Sequence, residues 1–388
     1  MTEMVYGAMP AQVREPVLPR WWRTIDKWSM IGVMVLFGIG ILLGLAASVP
    51  LASRNGLVPY YYVQKQAIFG GAAMMLMMAV SMMSPQMVRR LGIIGFGFSV
   101  LALMALPIVG QDHGKGAVRW LSVAGFSLQP SEFLKPCFII VTAWLMAAAQ
   151  EVSGPPGKTI SLAVTIFVSL FLAMQPDFGQ TMLILFGWSV IYFVAGAPMI
   201  LIFSVVGGIV MAGITSYNMS DHFARRIDAF LNPEVDPRSQ IGYAVNAIQE
   251  GGFFGVGLGE GQVKWILPDA HTDFIIAVAA EEYGLVLVAL ILALFTTIIV
   301  RSLLRLTKER DPFARFAGTG LACIFGVQAM INMGVAVRLL PSKGMTLPFI
   351  SYGGSSVLAA GLTVGMLLAL TRVRPQGQMS DLFGRRGR

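Results

Sequence analysis

The sequence predicts an all-α polytopic membrane protein with about ten transmembrane helices and a long extracytoplasmic loop between the seventh and eighth. Three observations carry that expectation. Of 388 residues, 56% are hydrophobic and only 12% charged, about half the charge density of a soluble domain, which leaves too few ionised groups to cover a water-facing surface. Long runs such as 31–49 and 91–110 hold no ionisable side chain, and each is close to the ~20 residues that cross a hydrocarbon core of ~30 Å. Lysine and arginine gather between the runs in a pattern that alternates along the chain.

Taken in order, the chain opens on a polar tail, 1–28, with Arg14, Arg20, Arg23 and Lys27. No small-residue cleavage site follows the first apolar run, so that run is expected to stay as an anchor. The expected spans are 29–50, 64–84, 90–110, 132–150, 158–174, 180–196, 198–217, 273–300, 314–334 and 347–371. The turns Gln175-Pro176-Asp177 and Gly196-Ala197-Pro198 join three of them tightly, because Pro and Gly end one helix and restart another. With the N-terminus in the cytoplasm, the inner segments take most of the basic residues, including Arg301, Arg305, Lys308, Arg310 and Arg315, and a basic tail over 372–388. An even span count returns the C-terminus to the same side, which fits the positive-inside rule. The whole chain, 1–388, reads as one membrane domain. The outer segments are about 111–131 and 218–272. The second is far longer than a connection requires, and being neither charge-dense nor of low complexity it is expected to be functional. Cys137 and Cys323 fall inside spans and read as small apolar groups rather than a disulfide or metal pair. The net charge of +8 speaks to orientation and anionic membrane lipid, not to nucleic acid.

Four segments place charge or rigid turns at outer span ends. In the first, Gln129-Pro130-Ser131-Glu132 reads as a helix start with Ser131 as N-cap. Glu132 and Lys135 then share one helical face, and Lys135 lies just inside a span, where an ionisable group is costly and suggests function. In the second, Asp177 sits between two helices, either as a cap or in a site. The third is the long loop, with Arg225, Arg226, Lys264 and the run Gly251-Gly252-Phe253-Phe254-Gly255-Val256-Gly257-Leu258-Gly259. That run has neither the preceding strand nor the spacing of a dinucleotide-binding turn. The loop exits at Asp269-Ala270-His271-Thr272-Asp273, with Thr272 as candidate N-cap and Asp273 in the first helical turn, where the helix dipole favours an acid. The fourth, Arg338 to Ser356, brings two prolines, Lys343, a glycine pair and Ser355 to the last span, a helix start that suits an anion. Together these offer cations for a phosphate or pyrophosphate and a carboxylate to take a proton.

Six ordered segments carry a resemblance: Gly116-Ala117-Val118-Arg119-Trp120, Gln129-Pro130-Ser131-Glu132, Gln175-Pro176-Asp177-Phe178-Gly179, Phe230-Leu231-Asn232-Pro233, Leu267-Pro268-Asp269-Ala270-His271-Thr272-Asp273-Phe274 and Ile350-Ser351-Tyr352-Gly353-Gly354-Ser355-Ser356. The sequence resembles the SEDS family (shape, elongation, division and sporulation). Pro341-Ser342-Lys343-Gly344-Met345-Thr346 looks more like its division branch, FtsW, than its elongation branch, RodA. The chain has Asp269 where the family commonly has Glu.

The resemblance implies a peptidoglycan glycosyltransferase of the bacterial inner membrane. Such an enzyme polymerises lipid II, an undecaprenyl-pyrophosphate disaccharide-pentapeptide, into β-1,4 glycan at the division septum. It implies Asp273 as the essential catalytic residue and roles for Arg119, Glu132, Lys135 and Asp177. It also implies a class B penicillin-binding protein (FtsI-like) as partner, with FtsQ, FtsL and FtsB as activators. On this reading Asp273 is general base, Lys135 and Arg119 bind pyrophosphate, Lys343 and Arg225 are weaker candidates, and His271, Thr272 and Ser355 support them. A divalent cation, Mg or Mn, is compatible with the reaction, and the sequence presents no ligand set for one. The rival classes are a lipid II flippase, which requires polar groups deep in several spans and two alternating halves, and a non-catalytic scaffold of the division machinery.

Overall fold

The computed structural model describes residues 17–110, 119–123, 126–219, 221–231, 239–267, 269–341 and 344–373. Among them lie eight helices long and apolar enough to span a membrane. These are α2 (Lys27–Arg54), α3 (Tyr61–Ser81), α4 (Pro85–Val109), α5 (Pro130–Ala148), α6 (Gly157–Met174), α8 (Met199–Met219), α12 (Ile275–Leu306) and α13 (Pro312–Ala336). Two shorter apolar helices, α7 (Phe178–Val194) and α14 (Gly354–Leu370), complete the expected ten. The chain is a multi-pass membrane protein. Its exposed surface is rich in Leu, Ile, Val, Phe and Met, as a lipid solvent allows.

Two buried clusters form the core. One joins α2, α12, α13 and α14 around Leu36, Phe295, Phe325 and Phe349. The other joins α4, α5, α7, α13 and α14 around Phe138, Trp188 and Phe316. Backbones approach closely where a side chain is missing. A Cβ on Gly40 of α2 would lie 2.4 Å from Phe349 O, and Gln66 of α3 donates to both Gly40 O and Ile350 O at 3.1 and 3.0 Å. The entry to α14 is thereby locked into the bundle.

At the end away from Asp273, an amphipathic helix α1 (Val17–Thr24) precedes α2. Asp26, 1% exposed, receives Arg301 Nη2 and Arg305 Nη2 at 3.0 and 3.3 Å and Ser29 Oγ at 3.0 Å. The two arginines hold its carboxyl below the usual carboxylate range against an opposing burial effect that is the largest single influence.

Segment 218–272, expected as one long loop, holds three helices: α9 (Asp221–Leu231), α10 (Gln240–Gly251) and α11 (Val263–Ile266). Its glycine run is spliced into a break in α12. Gly284 has φ +76°, which interrupts the helical hydrogen bonds. The orphaned groups find partners in the run: Val256 N and Gly257 N donate to Glu281 O and Glu282 O at 2.8 and 3.3 Å, and Leu285 N and Val286 N donate to Gly252 O and Phe253 O at 3.0 and 3.3 Å. A Cβ on Gly284 would come 2.2 Å from Phe253 O. The glycines permit this backbone-to-backbone approach; they do not cradle a phosphate. A short hairpin, β1 (Leu121–Val123) with β2 (Phe126–Leu128), precedes α5.

Three local expectations are corrected. The N-cap of α5 is Gln129, and Ser131 lies inside the helix, because Pro130 takes the first helical position, where its missing N–H costs nothing. The N-cap of α12 is Phe274, and Thr272 sits in the preceding turn with its hydroxyl donating to Asp269 O at 3.3 Å. The last helix begins at Gly354, not near 347: the left-handed backbone of Phe349 (φ +65°) keeps the preceding residues in a turn.

Candidate active site

Helix α5 begins at Pro130, so Glu132 and Lys135 fall on one face of its first turns. Both are buried, at 5% exposure each. Lys135 Nζ donates to Glu132 Oε2 at 2.9 Å and to Gln328 Oε1 of α13 at 2.8 Å. Gln180 Nε2 of α7 donates to the other carboxylate oxygen of Glu132 at 2.6 Å. Each charge is therefore compensated and hydrogen-bonded, as a buried pair must be to persist. A small pocket opens onto Lys135, lined also by Glu132, Gln328, Pro348, Ser356 and Thr363.

Asp177 occupies the N-cap position of α7, where its side chain makes no cap hydrogen bond, so the cap reading holds in position only. Gln129 Nε2 donates to its Oδ2 at 3.4 Å. Burial pushes the Asp177 carboxyl above its ordinary value, with the Arg119 cation opposing and the Glu132 charge adding. Arg119 spends its guanidinium on the same turn: Nε donates to Gln175 O at 2.9 Å and Nη2 to Pro176 O at 2.6 Å. Ser355 Oγ, at the start of α14, accepts from Gln129 N at 3.3 Å, which ties α14 to the mouth of α5.

Asp273 stands two residues before α12. Its N–H donates to Asp269 O at 3.1 Å, and its carbonyl accepts from Asn332 Nδ2 of α13 at 3.0 Å. A Cβ on Gly344 would lie 3.2 Å from Asp273 Oδ2, so the segment entering α14 faces the carboxylate. Two further bonds stitch that segment to the turn bearing Asp273, and a third braces the segment itself. Ser351 Oγ donates to Thr272 O at 2.5 Å, Tyr352 N donates to His271 O at 2.9 Å, and Leu347 N donates to Ser351 Oγ at 2.9 Å. The His271 ring packs against Tyr62 and Tyr352, with centroids at 6.1 and 5.7 Å. Beneath, Lys264 donates to Glu282 and, at 2.9 Å, to Gly259 O, and Glu281 Oε1 accepts from Gln262 N and Val263 N at 2.6 and 2.9 Å.

The structure thus brings Glu132, Lys135, Asp177, Arg119 and Ser355 into one neighbourhood and Asp273, His271 and Thr272 into another. Gln328 and Asn332 of α13 link the two. Arg225 is exposed on α9, whose end is tied to Arg338 Nη2 through Phe230 O at 3.3 Å. Lys343 lies outside the described residues. No group of three or more His, Cys, Asp or Glu able to hold a metal occurs among the described residues. The sequence reading missed Gln328 and Asn332, and also Glu281 and Glu282, which are 1% and 2% exposed. Their signal was available: amides at i, i+4 inside an apolar span share a face, and two adjacent acids in a span demand partners.

Comparison with known proteins agrees with this architecture. Residues 27–376 match the FtsW/RodA/SpoVE family of cell cycle proteins. A Caulobacter vibrioides protein named "Probable peptidoglycan glycosyltransferase FtsW" is 42% identical over 367 residues, covering 94% of each chain. A Trichlorobacter lovleyi protein of the same name is 35% identical over 89% of this chain and 93% of its own. Among solved structures, a chain of a peptidoglycan synthase complex, described for structural coordination of polymerization and crosslinking, superposes with a TM-score of 0.73 at 26% identity over 89% of this chain and 97% of that one. Thermus thermophilus rod shape determining protein RodA shares the fold, with a TM-score of 0.67 at 24% identity over 90% and 97%. The chain belongs to the FtsW/RodA/SpoVE family of cell cycle proteins, with FtsW proteins among its relatives.

Proposed function

We propose that this chain is a peptidoglycan glycosyltransferase that polymerises lipid II at the outer face of the inner membrane during septal wall synthesis, with both termini in the cytoplasm. The observation that carries the reading is the carboxylate of Asp273 at the mouth of α12, facing the segment that enters α14 and linked through α13 to the buried cation of Lys135. The 4-hydroxyl oxygen of an acceptor GlcNAc attacks C1 of the donor sugar. The bond from C1 to the pyrophosphate oxygen breaks, and its electron pair leaves with undecaprenyl pyrophosphate. The hydroxyl proton passes to Asp273. A positioned base of this kind contributes about 10²–10⁴-fold. One displacement inverts an α-linked donor into a β product.

Preorganised positive charge is worth most in a water-poor site. Lys135, open to its small pocket, is the residue for the departing pyrophosphate. Arg119 acts by holding the Gln175–Asp177 turn, Ser355 by fixing the mouth of α5, and His271 and Thr272 by bracing Asp273. Lys343 and Arg225 are weaker candidates for the pyrophosphate, and a divalent cation, Mg or Mn, would share its charge if the substrate brought one. A class B penicillin-binding transpeptidase, FtsI-like, is the partner, with FtsQ, FtsL and FtsB as activators. The synthase complex, described for coordination of polymerization and crosslinking, supports the pairing with a transpeptidase.

The flippase reading is disfavoured because α7, α8 and α14 carry no Asp, Glu, Lys, Arg or His, whereas transport of a charged headgroup requires polar groups through the depth of several spans. Labelled lipid II incubated with the purified chain and its transpeptidase should give a ladder of glycan on a gel. Flipping in sealed vesicles without any polymer would overturn the reading in favour of transport.

A further inference from the structure

We infer that Asn332 is a positioning residue for the reaction: its side-chain amide sets both the peptide of Asp273 and the segment that faces the Asp273 carboxylate. The inference rests on the reading of Asp273 as general base. Asn332 is 2% exposed and lies near the end of α13. Its Nδ2 carries two hydrogens, and each has an acceptor: Asp273 O at 3.0 Å and Met345 O at 2.6 Å. The opposite amide orientation would set Oδ1 against two carbonyl oxygens, so the two acceptors fix it.

Each of the two carbonyls belongs to one wall of the gap. Asp273 precedes the helix, and Ala277 N turns to Phe274 O instead, which leaves the Asp273 carbonyl to Asn332. Met345 follows Gly344, on which a Cβ would lie 3.2 Å from Asp273 Oδ2. One amide therefore determines how far Asp273 stands from the segment opposite. One turn earlier on the same face, ~6 Å along the axis, Gln328 repeats the device. Its Nε2 donates to Thr346 O at 3.1 Å, and its Oε1 accepts from Lys135 at 2.8 Å. Consecutive carbonyls, Met345 and Thr346, are thus held by amides that also reach the base on one side and the cation on the other. In an inverting displacement the base and the leaving-group cation act on opposite sides of the same sugar carbon, and their separation sets whether the hydroxyl lies in line. Misplacement by ~1 Å costs on the order of 10²-fold.

The test compares Asn332→Leu, which keeps the volume and removes both donors, with Asn332→Ser, which keeps one donor. Both are made in the full chain and assayed with its transpeptidase on labelled lipid II. The expected result is a kcat about 10- to 100-fold below wild type for Asn332→Leu, a smaller loss for Asn332→Ser, KM for lipid II within about twofold, and an unchanged melting temperature for at least Asn332→Ser. Wild-type kcat for Asn332→Leu overturns the inference. So does a loss of activity that tracks a loss of folded protein in both variants, since that makes the amide purely structural. Asp273→Asn is run alongside. If it polymerises normally, the reading of the base fails and the inference with it; if it is inactive while Asn332→Leu is normal, the inference alone fails.

Discussion

Lys135 shows what a single residue costs in this molecule. It is buried with Glu132 and bridged to Gln328, so its removal leaves a carboxylate uncompensated in a dry site. Lys135→Met should destabilise the fold by about 3–5 kcal/mol, whereas Lys135→Met combined with Glu132→Gln should recover most of that loss. Thermal unfolding of the two variants measures the difference, and equal losses would contradict the pairing. Polymerisation should be lost in both, because the cation is absent from both. The pair was legible in the sequence, since Pro130 marks a helix start and positions three apart share a face. Asp273 was legible for the same kind of reason, as an acid at a span end beside a basic loop. Asn332 and Gln328 left only the weaker trace of two amides sharing a face of an apolar run, and their roles could not be read from it, because their acceptors Met345 and Thr346, 13 and 18 residues away in sequence, are brought to them only by the fold.

At the scale of the element, α12 is the feature that the apolar pattern misrepresents. The sequence offers one uninterrupted span, and the structure breaks it at Gly284 and repairs the break with the glycine run. Glu281 and Glu282 then act as anchors: one takes the N–H groups that start α11, the other takes Lys264. Because these bonds join residues about a score apart across a turn, no local periodicity reveals them. Gly284→Ala would force a Cβ to within 2.2 Å of Phe253 O at a positive φ. Where an ordinary helical Gly→Ala exchange gains about 1 kcal/mol, this one should instead destabilise the protein and release the run. Faster amide hydrogen exchange at Val256, Gly257, Leu285 and Val286 is the expected sign; unchanged protection there would contradict the splice. The corrected start of α14 has the same origin. Leu347 to Gly353 are apolar enough to continue a span, yet their backbone is held by Gln66, His271 and Ser351.

For the molecule as a whole, the ten spans were readable because lipid imposes a length and forbids unpaired backbone. What composition could not supply was which ends close on each other. The end away from Asp273 is closed by Asp26 with Arg301 and Arg305, and by Val373 N donating to Thr24 O at 3.1 Å. Asp26 has a carboxyl held below its usual value of 3.8. Its contribution is therefore fully present above that value and is lost as pH falls through the lower folded value. Asp26→Asn should lower the melting temperature at neutral pH, with the gap to wild type narrowing only below about pH 4; a gap that stays constant down to strong acid would contradict the ion cluster. At the opposite end, the turn bearing Asp273 closes against the entry to α14, with α13 between that gap and Lys135. This closed end is the proposed site of sugar transfer, and one experiment bears on it directly. Full-length protein carrying Asp273→Asn, reconstituted with its transpeptidase and given labelled lipid II, should remain folded and still bind substrate while making polymer at least about 100-fold more slowly than wild type. A glycan ladder formed at the wild-type rate would contradict the account.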